Sequence, residues 1–233
     1  MSLLLWAIVV IVIIVVFGLL LRLLEGVAKI VLTVVLVGLV LAVGAWILVD
    51  INDLRQHFYQ DDKLFLLDIN GELEGAFVLG GDAVPKPIAD LGGLRSAYPD
   101  LAAVQDGNYK VIVLEWPVVA GALDVPGFSA TEKELHAALR SRNPKQLFID
   151  KMVARFDARM LGQITAEADR LYPTDDAFAS TIFALLAGEP LRTPDVIFAG
   201  LSQGTVRVHP ETVTFKIMKV LPEGMSSVLL PSA

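Results

Sequence analysis

Apolar residues fill almost every position from Leu3 to Leu21 and again from Ile30 to Val49; beyond Val49 polar and apolar residues alternate in shorter runs. At about 1.5 Å of rise per residue, each of the first two runs as a helix covers the roughly 30 Å hydrocarbon layer of a bilayer. Arg22, Glu25 and Lys29 lie between them. A central Arg, Lys or Asp opposes insertion by about 2.5 to 3.5 kcal/mol, against about 0.3 to 0.6 kcal/mol favouring it for each Leu, Ile or Val, so these charges belong at a surface. The pattern predicts a transmembrane helical hairpin over 1–50, with spans at 3–21 and 30–49 and a turn at 22–29. Gly26 gives the turn its flexible point, and Trp6 and Trp46 then meet the same face of the bilayer as interfacial anchors.

After a neck at 51–63, helical or irregular, the pattern predicts one soluble α+β domain over 64–233, with strands at both ends and a central group of helices. Two apolar segments flank Asn70-Gly71, the pair best suited to a tight hairpin turn. Residues 80–107 are rich in Gly, Pro and Asp and read as loop with one short helix near 88–98. "YKVIVLEW" is a strand ending before Pro117. Ser129 and Glu132 have the spacing of a capping box, and Asn143-Pro144 marks a second helix start. Phe148, Met152, Phe156 and Met160 then share one helical face, which reads as core. Thr174, Asp175 and Asp176 open a further helix that Gly188 and Pro190 should close. Three β segments follow: "DVIFAG", "GTVRVHP" and "TVTFKIMKV".

Charge narrows the function classes. The formal net charge is −7; within the first fifty residues Arg22 and Lys29 offset Glu25 and Asp50, so the whole imbalance lies in the domain. No basic stripe is present to release counterions from nucleic acid, which excludes that partner class. The turn, with Arg22 and Lys29, is the more basic flank of the hairpin, so the positive-inside rule sends both termini and the domain out of the cytoplasm. No positive residue precedes the first apolar run, which is also longer than a signal peptide's core, so the run reads as an anchor. Gly38 and Ala42 have the spacing that lets helices approach closely.

Candidate chemistry is sparse. The chain has no cysteine, which removes disulfides, thiolate metal sites and cysteine nucleophiles. His57, His136 and His209 are far apart in sequence and form no zinc-ligand motif, "GGDAVPKP" lacks the phosphate-loop pattern, and Glu115 stands alone at a strand end. "GLSQG", Gly200 to Gly204, matches G-x-S-x-G, and in these five residues it resembles thioesterases of the α/β-hydrolase class. That resemblance implies Ser202 as nucleophile and His209 as its base. The motif, however, needs a following helix and an acid before the histidine, whereas a strand pattern follows and no Asp occurs after Ser202. The expectation is therefore a non-enzymatic interaction or scaffold protein without cofactor or metal. Its partners are the lipid bilayer and a protein partner or a second copy of itself, and a serine hydrolase is the alternative.

Overall fold

The structure, a computed structural model, describes residues 13–20, 27–58, 60–120, 131–153 and 161–220. The chain divides into two compact units, Met1–Gln56 with Thr212–Ala233, and His57–Glu211.

In the first unit, residues 13–20 are helical (α1), and α2 runs from Val27 to His57, 31 residues without a break. Within it Ala28–Leu54 is long and apolar enough to cross a membrane. Val34, Val35, Leu36 and Val37 are all exposed, so every face of the helix presents apolar side chains outward. Trp46 is 63% exposed. Lys29, expected in the turn, lies in the first turns of α2, where its carbonyl accepts from Thr33 Oγ1 at 2.8 Å. Trp6, Arg22, Glu25 and Gly26 lie outside the described residues. Among those described, α2 is the one helix that meets the length and hydropathy of a span. The predicted neck is helical as far as His57.

The same unit holds the first correction. "TVTFKIMKV" is not a strand: Val213–Met218 is a helix, α11. Its β-branched alternation is overridden by packing that buries Thr214, Phe215 and Met218 and by a cap from a distant residue. The Asp50 carboxylate, near the end of the apolar part of α2, accepts from Thr214 N at 2.6 Å and Thr214 Oγ1 at 2.5 Å.

The second unit is built on a five-stranded mixed sheet in the order β3-β2-β1-β4-β5. The strands are β1 Lys63–Ile69, β2 Glu72–Leu79, β3 Pro85–Pro87, β4 Lys110–Glu115 and β5 Val206–His209. β1 and β2 form the expected hairpin, with Asn70 at φ 57° and Gly71 at φ 87°, the left-handed pair that an Asn-Gly turn requires. β1 and β4 are parallel at the centre, and the other pairs are antiparallel. The crossover between β1 and β4 carries α3 (Gly92–Ala97) and α4 (Leu101–Val104), whose apolar residues seal one sheet face over Leu64, Leu66, Val111 and Val113. β3 was expected as loop; its two prolines suit an edge strand, which has no outer ladder to complete.

The other face is covered by α9 (Asp175–Arg192), with Phe65 stacked on Phe77 at 4.9 Å and Phe77 against Phe183 at 5.0 Å. The central helices α5 (Trp116–Ala120), α6 (Glu132–Leu139), α7 (Pro144–Val153) and α8 (Leu161–Leu171) lie between β4 and α9 in sequence. As expected, Pro144 starts α7 and Thr174 caps α9, accepting from Ala177 N at 3.0 Å. Phe148 packs on Phe178 at 5.3 Å, and Met152 continues α7; Phe156 and Met160, the rest of the predicted face, lie outside the described residues.

Thr131 and Glu134 form a capping box at the start of α6; Ser129, of the expected pair with Glu132, lies outside the described residues. Two local expectations are corrected. Gly188 and Pro190 do not stop α9, which carries Pro190 inside it and ends two residues later at Arg192; the missing proline N–H costs one hydrogen bond near a helix end that packing already holds. "DVIFAG" belongs to a helix, α10 (Pro194–Gln203), with Pro194 at its first turn and Asp195 following.

Candidate functional site

The placement of α10 decides the hydrolase motif. Ser202 lies in its last turn and donates to the Ala199 carbonyl at 2.8 Å, an ordinary intrahelical bond from an exposed hydroxyl. A nucleophile elbow needs a strand before the serine and a helix after it; here the order is reversed. Both glycines have structural reasons. Gly204, at φ 83°, is the left-handed cap that ends α10. A Cβ on Gly200 would come within 2.4 Å of Val206 Cγ2, so its absence lets α10 lie against β5.

His209 ends β5, opposite Val111. His57 contacts the Asp61 carboxylate at 2.7 Å and packs near Tyr109, and His136 meets Trp116 edge-on at 5.2 Å. Among the described residues no three His, Asp or Glu side chains gather as metal ligands.

The sheet itself organises the charged groups. Lys63 and Lys110 pair at the amino ends of β1 and β4, and Asp68 and Glu115 pair at the carboxyl ends. Both lysines are buried and end on backbone carbonyls: Lys63 Nζ on Phe58 and Asp61, Lys110 Nζ on Pro210 at 2.9 Å. Burial lowers the Lys63 pKa, and Asp61 and Asp62 offset part of that. Both amines are thus engaged on backbone carbonyls at this end of the sheet.

The opposite end is richer. Asp68, 5% exposed, accepts from Gly71 N at 2.6 Å with one oxygen and from the Tyr98 hydroxyl and Arg207 Nη2 with the other. One carboxylate thus closes the hairpin turn and joins α3's end to the edge strand β5. Burial, and then the hydrogen bond to Asp68, push the Tyr98 phenol up to about 12, with Arg207 opposing. The phenol is a neutral donor at physiological pH. Arg207 Nε is buried without a partner, and its guanidinium is otherwise partly exposed.

Tyr98 also borders a cleft of about 500 Å3 between the β1–β2 turn, the α6–α7 connection and the start of α9. A bulge shapes its sheet wall: Leu67 pairs with Gly75 and Asp68 with Leu73, so Glu74 is the extra residue. Such a residue leaves the regular alternation of the pleat. Glu72 and Glu74 make this wall acidic, and Arg140 and Arg142 make the facing wall basic. Arg95 is fixed by bonds from Nη1 to Asp176 Oδ1 at 2.8 Å and from Nε to the Leu73 carbonyl at 3.0 Å. Burial raises the Glu74 pKa, and the Arg95 and Arg140 charges hold the rise in check against Glu72 and Asp176.

Asp68, Glu74, Tyr98, Arg140 and Arg207 were not singled out by sequence. The one available signal was a charged residue amid valines in "VRVH". No family model matches the chain, and no curated protein or solved structure matches it either.

Proposed function

We propose that this protein is a membrane-anchored, non-enzymatic interaction module. A two-span N-terminal hairpin holds an acidic α+β domain at a bilayer surface, outside the cytoplasm, where the domain binds a protein partner or a second copy of the chain. The observation that carries this reading is α2, whose apolar side chains are exposed on every face between Ile30 and Val49. A helix apolar all round needs an apolar surrounding, and lipid supplies one. Five residues, 58–62, separate α2 from β1, so the domain follows the span without a long linker. The apolar helical stretch at 13–20, followed by Arg22, Glu25 and Lys29, supports a first span and a polar turn. The Asp68–Tyr98–Arg207 cluster supports an architectural use of the domain's charge, since these groups engage one another and present no nucleophile with a base.

The absence of cysteine makes the test direct. Single replacements Ser2→Cys, Glu25→Cys and Asp106→Cys are treated with a membrane-impermeant maleimide on sealed, right-side-out cells. The proposal expects labelling at positions 2 and 106, with position 25 reacting only after permeabilisation. Reaction of positions 2 and 106 from opposite sides would rule out the hairpin, and the inverse pattern would put the domain in the cytoplasm. A fluorophosphonate probe that labels the protein but not Ser202→Ala would favour the hydrolase alternative.

A further inference from the structure

The cleft beside Tyr98 has two walls of opposite charge that face each other without touching. Glu72 and Glu74 make no hydrogen bond or ion pair with Arg140 or Arg142, although Arg140 acts on Glu74 electrostatically. The other charges around the cleft are already engaged: Arg95 with Asp176, and Asp175 with Lys145 N at 3.1 Å. Four charged side chains, two of each sign, are therefore left facing the opening.

The charge pattern discriminates among ligands. A simple anion attracted by Arg140 and Arg142 meets Glu72 and Glu74; a simple cation attracted by the glutamates meets the arginines. A molecule carrying both an ammonium and a carboxylate gains at both walls. The volume lies in the lower half of the range of small-molecule sites, roughly 300 to 1,000 Å3, and exceeds what one small amino acid fills. We infer that this cleft is a binding site for a short peptide-type zwitterion, with the ammonium on Glu74 and Glu72 and the carboxylate on Arg140 and Arg142. The bulge at Glu74 is the backbone device that turns an acid out of a buried strand toward this space. The inference is independent of the membrane anchor.

The test uses the full chain in a neutral detergent and isothermal titration with triglycine, N-acetyl-triglycine and triglycine amide. Triglycine should bind saturably, and each blocked form should bind at least about 10-fold more weakly, the loss expected for one charged hydrogen-bonded contact. Glu74→Gln should weaken triglycine but leave N-acetyl-triglycine unchanged. The double variant Arg140→Gln/Arg142→Gln should do the reverse, weakening triglycine but not triglycine amide. Equal binding by all three peptides, no saturable binding of triglycine, or variants that weaken all three alike would overturn the assignment. Glu74→Gln is isosteric, the two Arg→Gln changes shorten the side chain but keep it polar, and an unchanged melting temperature verifies that the variants fold.

Discussion

The two oxygens of Asp68 tie a turn, a helix end and an edge strand to one point. Asp68 is also buried, so removing it strands Arg207 and the Tyr98 hydroxyl. Asp68→Ala should destabilise the domain by about 2 to 4 kcal/mol, measured by chemical denaturation, with Arg207→Ala costing less because the guanidinium is partly in water. Tyr98 makes a separate prediction about pH. An unfolded tyrosine titrates near 10 and this one at about 12, so between those values the folded state holds the extra proton. Stability contributed by the neutral phenol is therefore fully present below pH about 10 and is lost as pH rises toward about 12. Denaturation midpoints at increasing pH should fall more steeply in the wild type than in Tyr98→Phe, and parallel curves would contradict the assignment.

At the scale of elements, the junction between α10 and β5 explains the one formal motif in the chain without chemistry. Gly200 admits Val206, Gly204 adopts a left-handed cap, and Ser202 merely faces outward. Gly200→Ala should cost about 1 to 3 kcal/mol from overpacking, and Gly204→Ala about 1 kcal/mol from the positive φ. Ser202→Ala should stay within about 0.5 kcal/mol of wild type. Thermal melts of the three variants check this order; a large effect of Ser202→Ala alone would contradict it. The same junction shows why "DVIFAG" is not a strand. A short apolar run has no periodicity that separates strand from buried helix, and Pro194 with Asp195, both helix-start signals, open α10 despite the β-branched Val196 and Ile197.

For the whole molecule, connectivity matters most in the first unit, where the end of α2 and the helix α11 meet although 164 residues separate their linked side chains. Thr212, the residue at α11's own start, makes no side-chain cap, and Asp50 replaces it. Losing an N-cap costs about 0.5 to 2 kcal/mol, so Asp50→Ala should speed hydrogen exchange of the Thr214–Met218 amides by about 2- to 30-fold while the amides of β4 keep their protection. Uniform acceleration in both segments would show that Asp50 acts on global stability instead.

The sequence by itself determined what is written locally. The apolar run at 30–49 within α2, the Asn70-Gly71 hairpin, the strand before Pro117, and the starts of α7 and α9 each rest on residues within a turn or two of one another. Tertiary structure decided the rest. The helical state of α10 and α11, the passage of α9 through Pro190, the bulge at Glu74, and the meeting of Asp68 with Tyr98 and Arg207 depend on partners 30 to 164 residues away or on packing against another element. The reason is energetic: propensities differ by tenths of a kcal/mol to about 1 kcal/mol per residue, whereas burying a side chain or pairing a buried charge is worth more, and the larger contribution sets the outcome.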